Sequence, residues 1–101
     1  MAKKSAIEKN NRRKKMAKNA APKRARLKAL IADKSKPMEE RFAATLKLAA
    51  MPRNSSPTRI RNRCDLTGRP RSVYRLNKLS RIAIRDLGSK GLVPGLVKSS
   101  W

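Results

Sequence analysis

The sequence predicts a mainly α-helical protein with an irregular C-terminal segment. Three observations carry that prediction. Residues 3–19 are dominated by Ala, Lys, Arg, Glu and Met, the strongest helix formers. Pro22, Pro37 and Pro52 stand where a proline can open or stop a helix. Beyond Pro52, prolines, glycines and small polar residues recur too often for long regular elements.

The charge is extreme. Twenty-eight Lys+Arg against six Asp+Glu, with no histidine, leave a formal +22 on 101 residues. Such a chain repels itself when compact unless a polyanion screens it. Densely spaced phosphates would supply that screen and release their own condensed cations on binding, so nucleic acid is the expected partner. With three aromatic residues, Phe42, Tyr74 and Trp101, and much of the apolar content in alanine, the core is thin. A thin core repays backbone ordering poorly, so ordering on the partner is expected. One cysteine permits no intramolecular disulfide. No apolar run suits a signal peptide or a membrane span, which makes the cytoplasm the expected compartment.

Charge divides the chain into three segments. Residues 1–34 carry net +11 and are lysine-rich, residues 35–52 carry net +1, and residues 53–101 carry net +10 and are arginine-rich. Lysine is a flexible, hydrated point charge suited to tracking phosphates. Arginine offers a planar fork for bidentate phosphate contacts and stacking.

The first segment reads as a basic helical extension. Residues 3–19 read as helix; Pro22 costs that helix a hydrogen bond but can open a second one running to about Ala32, so a kink and a restart at Pro22 are both left open. Leu27, Leu30 and Ile31 form a narrow apolar stripe, while Arg12, Arg13, Lys14 and Lys15 are candidate RNA contacts on charge alone. In the middle segment, Pro37 opens a packing helix whose first turn holds Glu39 and Glu40, matching the helix dipole. Met38, Phe42, Leu46 and Ala49 make one apolar face, to be covered by the chain's own core or by a neighbouring protein.

From Met51 to Thr58 a proline-punctuated loop is expected. Arg59, Arg61 and Arg63 then alternate with Ile60, Asn62 and Cys64, so an extended backbone would project all three guanidinium groups from one side. Arg69, Arg71 and Arg75 repeat the pattern around a turn at Thr67-Gly68. A helix is predicted from Lys78 to Leu87, capped by Asn77 and terminated by Gly88, with Leu79, Ile82 and Ala83 inward and Arg81 and Arg85 sharing an outer face. Lys98 lies in the tail, and Trp101 closes it, suited either to stacking on a base or to plugging an apolar hole.

Catalysis has no support: histidine is absent, carboxylates are scattered, and phosphate-cradling glycine loops are missing. A dismantled metal site is legible instead. Cysteine at Thr67, Ser80 and Ala83 would join Cys64 as two CxxC pairs in zinc-knuckle spacing. With one thiol left, the module is predicted to be small, zinc-knuckle-like and metal-free, with Cys64 a buried apolar residue. Two other classes fit the charge: a sequence-independent DNA-compacting protein, and a membrane-active cationic peptide, for which residues 1–34 hold too few large apolar side chains.

Leu48-Ala-Ala-Met-Pro-Arg-Asn-Ser-Ser-Pro57, Arg61-Asn-Arg-Cys64, Gly68-Arg-Pro70, Leu79-Ser-Arg81, Pro94-Gly95 and Lys98-Ser-Ser-Trp101 carry a specific likeness. Across nearly its whole length the chain resembles the universal small-subunit ribosomal protein number fourteen family, in its long bacterial form without zinc. The resemblance implies a non-catalytic constituent of the small-subunit head that binds the 3′ major domain of the rRNA. It further implies a role in assembling the head and supporting rRNA near the aminoacyl-tRNA site. The expected neighbours are small-subunit proteins three, ten and nineteen, with no cofactor, membrane or homo-oligomer. RNA contact carries over onto Arg59, Arg61, Arg63, Arg69, Arg71, Arg75, Arg81, Arg85, Lys98 and Trp101.

Overall fold

The computed structural model describes residues 2–99. Among them the order is α1 (Lys4–Ala32), α2 (Met38–Ala49), two 3₁₀ turns (Arg53–Ser55 and Pro57–Arg59), β1 (Val73–Tyr74), β2 (Leu79–Ser80) and α3 (Arg81–Ser89). The protein is mainly helical, with one two-stranded sheet and an irregular C-terminal part. Two compact units form: one is Lys9–Ile60, and the other joins the residues up to Glu8 with those from Arg61 onward.

Of the alternatives open at Pro22, no restart occurs: α1 is one helix with Pro22 inside it. Proline removes one backbone N–H, which orphans the carbonyl of Lys18, but Lys18 and Pro22 are both exposed and water can serve that oxygen. Strong helix formers on both sides, and burial of Ala17 and Leu27 on either flank, hold the helix together.

Within the Lys9–Ile60 unit, α1 buries Asn10, Ala17 and Leu27, and α2 buries Ala44. After α1, Asp33 Oδ1 accepts from the backbone N–H and the hydroxyl of Ser35, at 3.1 and 2.6 Å, which closes the connecting turn. Those bonds hold the Asp33 carboxyl below its ordinary range. Arg41 reaches from α2 to donate to the Ile31 carbonyl at 3.0 Å, satisfying an orphan oxygen at the end of α1.

Among the described residues, none covers the apolar face predicted for α2. Met38, Phe42 and Leu46 are 74%, 62% and 56% exposed. Small Ala44 allows close approach on the opposite side, and Arg41 ties that side down. The larger residues therefore point outward.

In the other unit, β1 and β2 pair antiparallel with Val73 opposite Ser80 and Tyr74 opposite Leu79. That pairing corrects the start of the last helix. Leu79 and Ser80 are drawn into the ladder, so α3 begins at Arg81, and its cap is Ser80, not Asn77, with Oγ accepting from Ala83 N–H at 3.2 Å. The shifted start turns Ile82 outward, at 49% exposure, and leaves Ala83 buried. Gly88 does not end the helix but lies within it, with Leu96 in the space a side chain at 88 would need. The left-handed stop falls at Gly91 (φ 68°), where Gly91 and Leu92 donate back to the carbonyls of Gly88 and Leu87.

Candidate nucleic-acid interface

The site builds outward from Cys64. Backbone bonds from Cys64 to Arg69 (3.0 Å) and from Gly68 to the Cys64 carbonyl (2.8 Å) fold residues 64–69 into a tight knuckle. Gly68 sits at φ 73°, a conformation that favours glycine, and a Cβ there would lie 2.6 Å from Ile7 Cδ1, so the Ile7 side chain would have to shift. Ala2 N–H donates to the Thr67 carbonyl at 3.3 Å, and Asp65 N–H to Lys78 at 2.9 Å. The start of the chain thus packs on the knuckle.

Cys64 is buried as expected, yet its surroundings are not merely apolar. Burial pushes the thiol up, but bonds from the Thr67 hydroxyl and from backbone N–H groups of Thr67, Ser80 and Leu66 outweigh it and bring it down to about 6. Positions 64, 67 and 80 meet around one sulfur, and Ser80 in turn accepts from Ala83. The donor set does not fit a zinc ion: one sulfur, two hydroxyls and a methyl replace four thiolates. Among the described residues, no group of three His, Cys, Asp or Glu could hold a metal.

The backbone is not extended through all of Arg59, Arg61 and Arg63. Residues 57–59 coil into a 3₁₀ turn that places Arg59 in the first unit, bonded to Asn54 Oδ1 at 2.8 Å. Arg61 and Arg63 belong to the second unit. Arg61 donates to the Pro70 carbonyl at 2.8 Å and Arg63 to the Gly68 carbonyl at 2.9 Å, closing the knuckle from outside. Arg69 donates to the Arg71 carbonyl at 3.2 Å. A guanidinium has five N–H donors, so the single brace on Arg63 or Arg69 does not exhaust it. Proline and the turn at Gly68 leave these carbonyls without ladder partners, which is why side chains serve them.

Arg12, Lys14, Lys15, Arg59, Arg61, Arg71, Arg75, Arg81, Arg85 and Lys98 are exposed, while Arg13, Arg63 and Arg69 are half-buried. Arg81 and Arg85 lie one turn apart on α3. Arg13 donates to the Arg59 carbonyl at 3.5 Å. Trp101 lies outside the described residues. Sequence reasoning missed Arg24, half-buried and bonded to Ser55 Oγ at 3.0 Å, and the Ser80 cap. The Ser80-Arg-Ile-Ala83 start was a readable signal for the cap, but no local pattern announces Arg24.

The family model for ribosomal protein S14p/S29e matches residues 47–100, a span that contains the knuckle, its arginine braces and α3. The chain belongs to this family. It is 95% identical over 101 residues, all of both chains, to the small ribosomal subunit protein uS14 of Rhodopseudomonas palustris strain TIE-1. Proteins of the same name from Bradyrhizobium sp. strain BTAi1 and Nitrobacter winogradskyi are 88% and 84% identical over the same full length. An S14-family chain is a structural ribosomal component, not an enzyme.

Proposed function

We propose that this chain is a structural constituent of the small ribosomal subunit in the cytoplasm, where it binds small-subunit rRNA in the head, helps that region assemble and supports rRNA near the aminoacyl-tRNA site. The observation that carries the reading is the bracing of Arg61, Arg63 and Arg69 by the protein's own carbonyls. A guanidinium already held by a hydrogen bond loses less rotamer freedom when a phosphate approaches, so its charge is pre-organised for a shaped backbone. Arg59, Arg71, Arg75, Arg81, Arg85, Lys98 and Trp101 extend the RNA contacts, and Arg12, Arg13, Lys14 and Lys15 add charge from α1. Phosphate and 2′-hydroxyl contacts outnumber base-edge readout on such a target.

The organisation follows the charge: residues 1–34 anchor, 35–52 pack, and 53–101 bind RNA through a zinc-knuckle-like module that needs neither metal nor cofactor. The outward stripe Met38, Phe42 and Leu46, in the one nearly neutral segment, suits a protein neighbour better than RNA. Small-subunit proteins three, ten and nineteen are the proposed neighbours, and the chain acts as one copy per subunit.

Reconstitution of small subunits tests the reading. Changing Arg61 and Arg63 to alanine should lower incorporation about tenfold, the order expected for losing charge-assisted hydrogen bonds, and Lys3→Ala with Lys4→Ala should lower it far less. Equal incorporation of the two variants, or equal affinity of the wild-type chain for duplex DNA and head rRNA at matched salt, would defeat the proposal.

A further inference from the structure

Tyr74 has no role in the reading above, yet its surroundings are built. It stands on β1, paired across the ladder with Leu79, and its side chain remains 56% exposed. Ser72, just before β1, and Lys78, just before β2, both take left-handed backbone at φ 54° and 53°. Neither is glycine, and side chains rarely adopt this conformation, so the hairpin keeps its shape against local preference. The Arg81 N–H donates to the Ser72 carbonyl at 2.9 Å, bringing the start of α3 beside the hairpin. Ser72, Val73, Tyr74 and Arg81 line a cavity of about 280 Å³.

From this we infer that the hairpin is a stacking platform for one unpaired nucleobase of the bound RNA, with the base on the Tyr74 ring and its phosphate on Arg81. The inference rests on the RNA-binding reading and names one site within it. A phenol presents a flat face that any base can cover, and stacking on aromatic side chains is how unpaired RNA bases are held. Charge decides between RNA and a protein partner. Residues 71–81 hold Arg71, Arg75, Lys78 and Arg81 and no acid. Leu76, at the hairpin tip and 93% exposed, offers apolar surface for a second base or sugar edge.

The test measures binding of the full chain to a head-domain rRNA fragment across a salt series. Tyr74→Leu keeps an apolar residue in the ladder but removes the ring, and should weaken binding about tenfold with an unchanged salt slope. Tyr74→Phe keeps the ring and should stay within about twofold of wild type, while Arg81→Gln should shallow the slope by about one phosphate contact. Circular dichroism of the complexes should show the same helix content for all three. The platform is overturned if Tyr74→Leu binds like wild type, or if Tyr74→Phe is as weak as Tyr74→Leu. It is also overturned if Tyr74→azidophenylalanine in assembled subunits crosslinks to protein and not RNA. A wild-type chain with no preference for the fragment would remove both readings, whereas normal wild-type binding beside an unaffected Tyr74→Leu removes the platform alone.

Discussion

The two units carry charge of the same sign and use it differently. In Lys9–Ile60 most of the backbone is satisfied within α1 and α2, and what is buried is small: Asn10, Ala17, Leu27, Ala44 and Ser55. From Arg61 onward the unit built on the knuckle has one short helix, the nine residues of α3, among its described residues. Its order comes from bonds between distant residues and from arginines that close turns. The side-chain bonds from cations to backbone described above all come from arginine. The contrast teaches that lysine serves here as charge, whereas arginine is charge and framework at once. Removing an arginine therefore removes a strut as well as a contact.

Rebuilding the absent metal site should produce the largest change. Thr67→Cys, Ser80→Cys and Ala83→Cys together add three thiols to Cys64, beside which Thr67 and Ser80 already lie, with Ala83 bonded to Ser80. This variant should bind one zinc per chain and stabilise the second unit by several kcal/mol, since structural zinc in small modules contributes about 10 kcal/mol or more. Metal analysis and thermal unfolding with and without chelator measure it. Wild-type protein should hold less than one zinc per chain. A triple variant without bound zinc would mean that the four positions do not form a tetrahedron.

An intermediate effect is expected in the first unit. Pro22→Ala restores the missing bond to the Lys18 carbonyl in a helix that already continues through this position. Proline costs about 3 kcal/mol against alanine inside a helix, so the free chain should gain helical signal and melt later by circular dichroism. An unchanged spectrum would show that α1 bends at Pro22 at no cost.

The smallest effect is a pH slope. The Cys64 thiol is lowered from its ordinary value of 9.0 to about 6 in the folded chain, so the unfolded chain binds more protons between those values. Stability should rise as pH increases from 6 towards 9 and fall as pH drops through 6. Urea unfolding in a sulfate buffer, which screens the net charge, reads this slope, and Cys64→Ala should flatten it. A slope that survives the substitution would assign it to another group.

Much of the first unit was legible because helix formation is local. Helix formers over residues 3–19, Pro37 before α2 and Pro52 after it are signals read within a few residues of where they act. The exception was Pro22, where the penalty was read correctly but the helix outlasts it, held by burial on both flanks. The candidate interface was legible in residue type but not in placement. Arg59, Arg61 and Arg63 look like a strand's outer face. Instead Arg59 lies in a 3₁₀ turn, and Arg61 and Arg63 donate to the carbonyls of Pro70 and Gly68.

By itself the sequence determined the helical character, the need for a polyanion and the lost zinc spacing, because composition and short periodicities express them directly. It also located the family match in the C-terminal half, through short motifs that survive without knowledge of contacts. Only the tertiary structure decided that Ser80 leaves a helix for a ladder and caps the next one. The same holds for the outward turn of Met38, Phe42 and Leu46, the Ile7 contact that favours glycine at 68, and the hydrogen bonds that hold Cys64 below its ordinary range. Each of these depends on residues far apart in sequence competing for the same space or the same polar atom, and no local pattern records the outcome of that competition.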